Sequence, residues 1–321
     1  MRAGRCLLAG VALAAAGAAV AQGGYPSRPI TLVVGFAPGG GTDIGARIVA
    51  KQLSANLGQQ VVVENRPGAG GNIAAEMVAH AVPDGHTIML AGPGPLTVAP
   101  YLVAKLPYDP RRDFAPISKG VTFPNVLVVH PSLPATTVAE YVALAQAKPD
   151  TIGYGTSGIG GAGHLAGELF KQVAKAPIVH VPYKGGGPAM TDLLAGQVPS
   201  SFASAPTAIP QVKAGKIRAL ATTGPTRSAL LPDVPTVAES YPGYDATNWY
   251  AFVAPAKTPK EIVDRLNREL AKVLATPEVR DQLLANGMEP EPSTPEELAK
   301  HIESQLALWG RVVKEARIEA Q

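Results

Sequence analysis

Residues 30–43 read ITLVVGFAPGGGTD and pass from a β-branched apolar run into a turn with three consecutive glycines. Apolar residues then recur at helical spacing from Ala46 to Leu57, and Gly58 ends that pattern. The order of strand, glycine turn and helix is typical of a parallel sheet covered by helices. Residues 152–164, IGYGTSGIGGAGH, repeat the same order. We therefore expect an α/β protein.

The two glycine turns also predict a binding site for an anion. The start of a helix leaves backbone N–H groups without partners, and the helix dipole adds partial positive charge there. Glycine has no side chain, so an anion can approach these donors closely. Two such turns, far apart in sequence, favour a cleft in which one anion is held from both sides.

The alternation of apolar runs and turns begins afresh at Val126, after a proline- and charge-rich segment at residues 106–114. This break indicates a domain crossing near residues 115–125, and the simplest return to the first domain is near Trp249. A chain of 321 residues also exceeds what one core usually holds. Two crossings give a hinge and an interdomain cleft. We predict two domains, comprising residues 22–123 with 250–321, and residues 124–249.

Three segments have the pattern of a capping box, in which a Thr at the helix N-cap and a Glu three residues later exchange hydrogen bonds. They are residues 137–140, 258–261 and 294–297. The last two also place proline directly after the threonine, at the first helical position. The sequence therefore predicts three helix starts, two of them in a mostly helical C-terminal third.

The N-terminus has the pattern of a secretory signal peptide at residues 1–21. Arg2 and Arg5 precede an apolar run, and small residues lead up to a cleavage position near Ala21. No later stretch reaches the roughly 20 apolar residues that a membrane-spanning helix needs. The only cysteine, Cys6, leaves with the signal, so we expect neither a disulfide nor a cysteine metal site.

Composition argues against several classes of partner. The formal net charge is +3, and Arg2 and Arg5 in the signal contribute two of these charges. Lys and Arg are dispersed, so no nucleic-acid partner is expected. The histidines lie singly, without zinc-ligand spacing, and no metal is expected. The glycines at residues 153–158 fit a dinucleotide fingerprint, but the ribose-binding acid about 20 residues later is missing, so we expect no cofactor.

One catalytic alternative stays open. Ser157 and His164 lie in the second glycine turn, and with a distant acid such as Asp43 they suggest a secreted hydrolase or isomerase. A nucleophile elbow requires Gly-x-Ser-x-Gly, whereas Ile159 occupies the final position. Asp43 with Thr42 also suits a simple helix cap, and His164 suits a local hydrogen bond.

At this point a family resemblance becomes visible. Four segments carry it: YPSRPI at 25–30, FAPGGGTD at 36–43, VENRPGAGGN at 63–72 and HVPYKGGGPA at 180–189. Together they resemble the substrate-binding proteins of tripartite tricarboxylate transporters, the Bug-type receptors, from about Tyr25 to the C-terminus. The resemblance implies a type II periplasmic binding protein fold and a monomer that is not an enzyme. It implies capture of a small organic carboxylate and delivery to membrane permease subunits, with a sensor role as the alternative.

The resemblance also implies a site. In the family, one carboxylate of the ligand is held by backbone groups and bound waters between the two glycine turns. Positions beside these turns, and on the strands behind them, form the wall of the pocket. The predicted ligand-binding residues are Phe36, Pro38, Gly39, Gly40, Thr42, Asp43, Asn72, Gly94, Thr156, Ser157, His164, Tyr183, Gly186, Ser204 and Trp249.

Overall fold

A computed structural model describes residues 24–315. The predicted signal peptide, residues 1–21, lies outside the described residues. Within the described range, no helix is long and apolar enough to cross a membrane. The described residues form one six-stranded and one five-stranded sheet, with helices packed against both.

The strands and helices follow one another in regular alternation over most of the chain. The strands are β1 (Ile30–Val34), β2 (Val61–Asn65), β3 (Thr87–Ala91), β4 (Phe114–Phe123), β5 (Asn125–Val129), β6 (Ile152–Thr156), β7 (Ile178–Pro182), β8 (Ser200–Ser204), β9 (Arg218–Thr222), β10 (Asn248–Pro255) and β11 (Glu289–Pro290). The helices are α1 (Gly41–Leu57), α2 (Asn72–Ala79), α3 (Ala99–Leu102), α4 (Val138–Ala147), α5 (Ala162–Ala174), α6 (Gly186–Leu194), α7 (Ala205–Lys213), α8 (Val237–Ser240), α9 (Lys260–Ala275), α10 (Pro277–Ala285) and α11 (Pro295–Glu315).

The two sheets share one topology. The six-stranded sheet has the order β11-β4-β10-β3-β1-β2, and the five-stranded sheet has the order β7-β6-β8-β5-β9. In each sheet, one strand that arrives from the other sheet is inserted antiparallel to its neighbours: β10 in the first and β5 in the second. We call the half with the six-stranded sheet lobe 1 and the other half lobe 2. The expectation of an α/β protein built on two sheets is confirmed.

The first crossing between the lobes is much shorter than the sequence suggested. Most of residues 115–125, interpreted above as a connection, forms the long strand β4, and only Pro124 separates β4 from β5. Pro116 lies inside this strand, where the pairing of β4 with β10 shifts register. Such an irregularity tolerates a residue without an N–H group, so the proline did not exclude a strand.

Two of the three predicted capping boxes cap a helix. Thr294 accepts a hydrogen bond from the Glu297 N–H (3.1 Å), and the Glu297 carboxylate accepts one from the Thr294 N–H (2.8 Å). Thr137 likewise caps α4. The Glu140 carboxylate, however, accepts its hydrogen bond from the Thr136 N–H and not from the Thr137 N–H. The prediction at residues 258–261 is wrong. There α9 starts at Lys260 with proline at the N-cap, so the threonine lies one residue too early to cap it.

Helix α9 lies in the C-terminal segment that the sequence assigned to the first domain, and it packs against β4 and α1. Leu266 and Leu270 on its inner face are fully buried and belong to the largest apolar cluster. This cluster also contains residues of β1, β5 and β8, so the core continues from lobe 1 into lobe 2 beneath the crossing.

Candidate functional site

Both glycine turns line one cavity between the lobes. The volume of this cavity is about 40 Å³. The lobes are therefore closed over a narrow cavity. The predicted site residues that line it are Phe36, Gly40, Thr42, Gly94, Thr156, Ser157, Gly186 and Ser204.

Three helices, α1, α5 and α6, begin at this cavity, and none of them has a side-chain hydrogen bond at its N-cap. The first-turn N–H groups of these helices make no hydrogen bond within the described chain. In α6 only Gly186 and Gly187 supply such groups, because Pro188 has no N–H. Helix α7 begins there too, but its first N–H donates to the Pro124 carbonyl (3.2 Å), and Pro206 follows without an N–H group.

The positive electrostatic potential of the cavity comes from its backbone. Each helix start carries the equivalent of roughly half a positive charge. Among the lining residues, all of which the structure describes, there is no Lys, Arg or His. Gly41 shows why the turn needs glycine, because a Cβ there would lie 2.8 Å from the Ser204 Oγ and 2.9 Å from the Tyr250 hydroxyl.

Asp43 holds the first glycine turn in shape. Its carboxylate accepts hydrogen bonds from the Gly39 N–H, the Arg47 side chain and the Asn65 amide, each at 3.0 Å. Burial by itself raises the pKa of this carboxyl, but the hydrogen bonds from Arg47, Gly39 and Asn65 together bring it below its ordinary value. Asp43 is thus ionised and directed at its own turn, outside the cavity lining, where its charge is neutralised by Arg47.

Two stacked histidines support the second glycine turn from behind. The His180 Nε2 lies 2.7 Å from the Thr156 hydroxyl, which also accepts a hydrogen bond from the Gly158 N–H (3.2 Å). The His164 ring stacks on His180 at 4.1 Å between centroids, and its Nδ1 accepts a hydrogen bond from the Gly160 N–H (3.1 Å). Burial lowers the pKa of both rings, that of His180 to about 3. Both are therefore neutral near pH 7.

Other predicted site residues point away from the cavity. Asn72 accepts a hydrogen bond from the Tyr108 hydroxyl (2.8 Å), and the Tyr183 hydroxyl donates to Asp192 (2.9 Å). Trp249 packs against the ring of His301, on the side of lobe 1 opposite to the cavity. Pro38 and Gly39 line a shallower surface groove instead.

Sequence reasoning missed several residues that line the cavity. Tyr250 takes the place foreseen for Trp249, because successive side chains of a strand face opposite sides of the sheet. Asn125 and Asn248 are the first residues of β5 and β10, the strands that follow the two crossings. The alternation rule identifies Tyr250 once the register of β10 is known. No sequence pattern pointed to the two asparagines, because the exact position of each crossing was not known from the sequence.

The lobes touch through their backbones. The Ala37 N–H in lobe 1 donates to the Lys184 carbonyl in lobe 2 at 3.1 Å. Glycines make this approach possible: a Cβ on Gly187 would lie 2.7 Å from the Pro38 carbonyl oxygen across the cleft, and one on Gly70 would lie 2.2 Å from the Ile159 oxygen.

The geometry around Ser157 differs from that of a serine nucleophile with its base. The His164 Nδ1 is occupied by the Gly160 N–H, and its Nε2 lies 4.0 Å from the Glu168 carboxylate. Between residues 24 and 315 there is no hydrogen bond from Ser157 to His164. A histidine whose pKa is lowered by burial is also a weak base at neutral pH.

Comparison with known families agrees with this arrangement. A family model described as "Tripartite tricarboxylate transporter family receptor" matches residues 45–318. The chain belongs to this family. The resemblance noted in the sequence is thereby confirmed.

Solved structures extend the comparison. The receptor is 36% identical to the periplasmic binding protein BugD, with a TM-score of 0.90 over 92% of this chain and 100% of that one. It is 39% identical to Rpa4515 of R. palustris with adipate (TM-score 0.90, 93% and 100% covered). It is 33% identical to MatC of Rhodopseudomonas palustris with bound malate (TM-score 0.86, 90% and 100% covered). The predicted two-domain periplasmic binding protein fold is confirmed.

Replacing Asp43 by Asn tests its support of the first turn. We expect the free energy of unfolding at pH 7 to fall by about 1–3 kcal/mol, because hydrogen bonds to an ionised group are lost. The pKa of Asp43 is lowered in the folded state, so its stabilisation is present above the ordinary pKa of 3.8 and is lost as the pH falls through the lower folded pKa. The difference from the wild type should therefore shrink below about pH 4.

Urea unfolding of both proteins between pH 7 and pH 3 measures this difference. The control is Asp264→Asn, which removes a half-buried carboxylate paired with the exposed Lys260 on α9 and should change stability by less than about 0.5 kcal/mol. Equal effects of the two substitutions at pH 7 would contradict the role given to Asp43.

Proposed function

We propose that this receptor captures a small organic carboxylate in the interlobe cavity and delivers it to the membrane permease subunits of a tripartite tricarboxylate transporter. The observation that carries the proposal is the meeting of three uncapped helix starts at one cavity whose lining has no cationic side chain. A carboxylate has two oxygens and several lone pairs, so it can accept hydrogen bonds from more than one helix start. The adipate and malate in the two R. palustris proteins support this ligand class.

In this proposal the receptor captures its ligand by closing the two lobes around it. The two lobes correspond to the two domains predicted from the sequence, except that Asn248 and Trp249 belong to β10 and therefore to lobe 1. The hinge lies at Pro124 and at the second crossing. The open form admits the ligand, and each lobe then supplies part of the donor set. Because these donors converge only when the lobes meet, the ligand binds the closed form better and shifts the population towards it. The permease would recognise that closed form.

The predicted site residues have two different roles in this proposal. Those of the predicted set that line the cavity contact the carboxylate or its waters. Asp43 and His164, which do not line it, keep the glycine turns in shape, so that the N–H groups are already oriented when the ligand arrives. In this proposal the receptor neither makes nor breaks a covalent bond in its ligand, acts as a monomer, and works in the periplasm after cleavage near Ala21.

Calorimetry of the mature protein with adipate and malate tests the proposed function. We expect saturable binding, and a melting temperature that rises with acid concentration, because a ligand of the native state stabilises it by mass action. The neutral diamides of the same two acids are the controls and should bind at least about 100-fold more weakly, since they carry no charge for the helix starts. Recovery of the acid unchanged after incubation distinguishes binding from turnover. Equal affinity for acids and diamides would contradict the proposal.

Gly187→Ala tests closure without altering the donors. The new Cβ meets the Pro38 carbonyl only in the closed form, while in the open form Ala favours helix α6 by up to about 1 kcal/mol. We expect carboxylate affinity to fall about tenfold or more, with an unchanged or higher melting temperature of the ligand-free protein. Gly45→Ala in α1 is the control, because its Cβ would meet only the Met288 side chain of the same lobe. An unchanged affinity of Gly187→Ala would count against closure.

A further inference from the structure

The side chain of Asn125 is a buried polar group without a partner. Asn125 is 1% exposed and lines the interlobe cavity. Its Nδ2 is buried, yet within residues 24–315 it donates no hydrogen bond. A buried unpaired amide destabilises a protein, and native structures keep few of them. This one lies at the proposed binding site, so a ligand can supply the missing acceptor.

The backbone of Asn125 is fixed, so the amide is built into the cavity. Its N–H donates to the Thr223 hydroxyl (2.8 Å), and its carbonyl accepts the Thr223 N–H (2.9 Å). The same hydroxyl donates to the Ala246 carbonyl (3.0 Å) in the second crossing. Asn125 is also the partner of Ser204 across strands β5 and β8, next to the start of α7. Both crossings therefore hold this residue in place.

Asn248 provides an internal comparison. It also lines the cavity and is also the first residue after a crossing. Its Oδ1, however, accepts a hydrogen bond from the Trp249 N–H at 2.8 Å, so its orientation is set by the protein. No such contact orients the Asn125 amide within the described chain.

Asn125 differs from the glycine turns because it lies at the hinge. The N–H groups of the turns approach one another only as the lobes close. Asn125 directly follows Pro124 in the crossing itself, so it is available in the open and the closed form alike. A contact that is the same in both forms changes affinity without changing the equilibrium between them.

We propose that Asn125 determines ligand specificity by donating a hydrogen bond to a second oxygen of the bound acid, remote from the carboxylate held at the helix starts. The preferred class is then a carboxylate with a hydroxyl, carbonyl or second carboxyl group further along its chain. An acid with an alkyl tail leaves the amide unpaired and is rejected. The inference rests on the carboxylate function proposed above, and it adds which carboxylates the cavity takes.

The test uses acids of equal charge and similar length that differ at one end. The probes are 3-hydroxypropanoate with butanoate, 4-hydroxybutanoate with pentanoate, and 5-hydroxypentanoate with hexanoate. For the wild type we expect the best hydroxy acid to bind about 10- to 100-fold more tightly than its alkyl partner, measured by calorimetry. In Asn125→Leu, which has a similar volume, the ratio should fall to within about threefold. Asn125→Ala serves as a second variant if the leucine variant does not fold.

Thermal unfolding without ligand gives a readout that does not depend on the choice of acid. Asn125→Leu removes an unpaired buried amide, so its melting temperature should equal or exceed that of the wild type. Asn267→Leu is the matched control, because the Asn267 Nδ2 donates to the carbonyls of Ile117 (2.7 Å) and Ser293 (2.8 Å). This control should lower the melting temperature and leave the ratio of affinities unchanged.

The outcomes separate the two proposals. If the wild type binds none of the acids, the carboxylate function fails, and the melting temperatures alone then decide whether the Asn125 amide is unpaired. If the acids bind but the ratio is the same in Asn125→Leu as in the wild type, the specificity role is overturned while the carboxylate function stands. A melting temperature lowered as much as in Asn267→Leu would also overturn it, because the amide would then be part of the scaffold.

Discussion

The proposed binding site depends on backbone N–H groups that the fold leaves unpaired at three helix starts around one cavity. These donors are costly to bury, and in the proposed function they are tolerated because a bound anion satisfies them. The helix dipoles act in the same direction. A charged side chain is therefore unnecessary, and the surroundings of the cavity are arranged so that none intrudes. Asp43 turns its charge back onto Arg47, and the histidines behind the second turn are kept neutral by burial.

The glycines at these helix starts serve two separate needs. One is local, since the turn must bring its backbone close to a ligand. The other belongs to the assembly of the lobes: Gly187 in α6, like Gly70 before α2, leaves room for the backbone of the opposite lobe. A side chain at either position would hold the lobes apart. The glycine-rich turns of this protein therefore have two functions. The anion site could be predicted from the sequence, whereas the close contact between the lobes could be recognised only in the structure.

Much of the fold could be read from the sequence because its βα units are locally consistent: β1, the glycine turn and α1 each carry their own signal. What could not be read depends on contacts distant in sequence. Strand β4 contains proline and follows a charged segment, so only its pairing with β10 and β11 identifies it. The choice of Tyr250 over Trp249 required the register of β10. Asn125 could be recognised as a cavity residue only once the first crossing was placed at Pro124.

The most direct test of the account is a titration of the ¹⁵N-labelled mature protein with adipate, followed by the shifts of backbone amide protons. Hydrogen bonds to a carboxylate should move the amide protons of Gly41 in α1, Gly163 in α5 and Gly186 in α6 downfield together, with one saturation curve for both lobes. Adipate binding detected by calorimetry without shifts at these three helix starts, or with shifts in one lobe alone, would contradict capture by the backbone of both lobes.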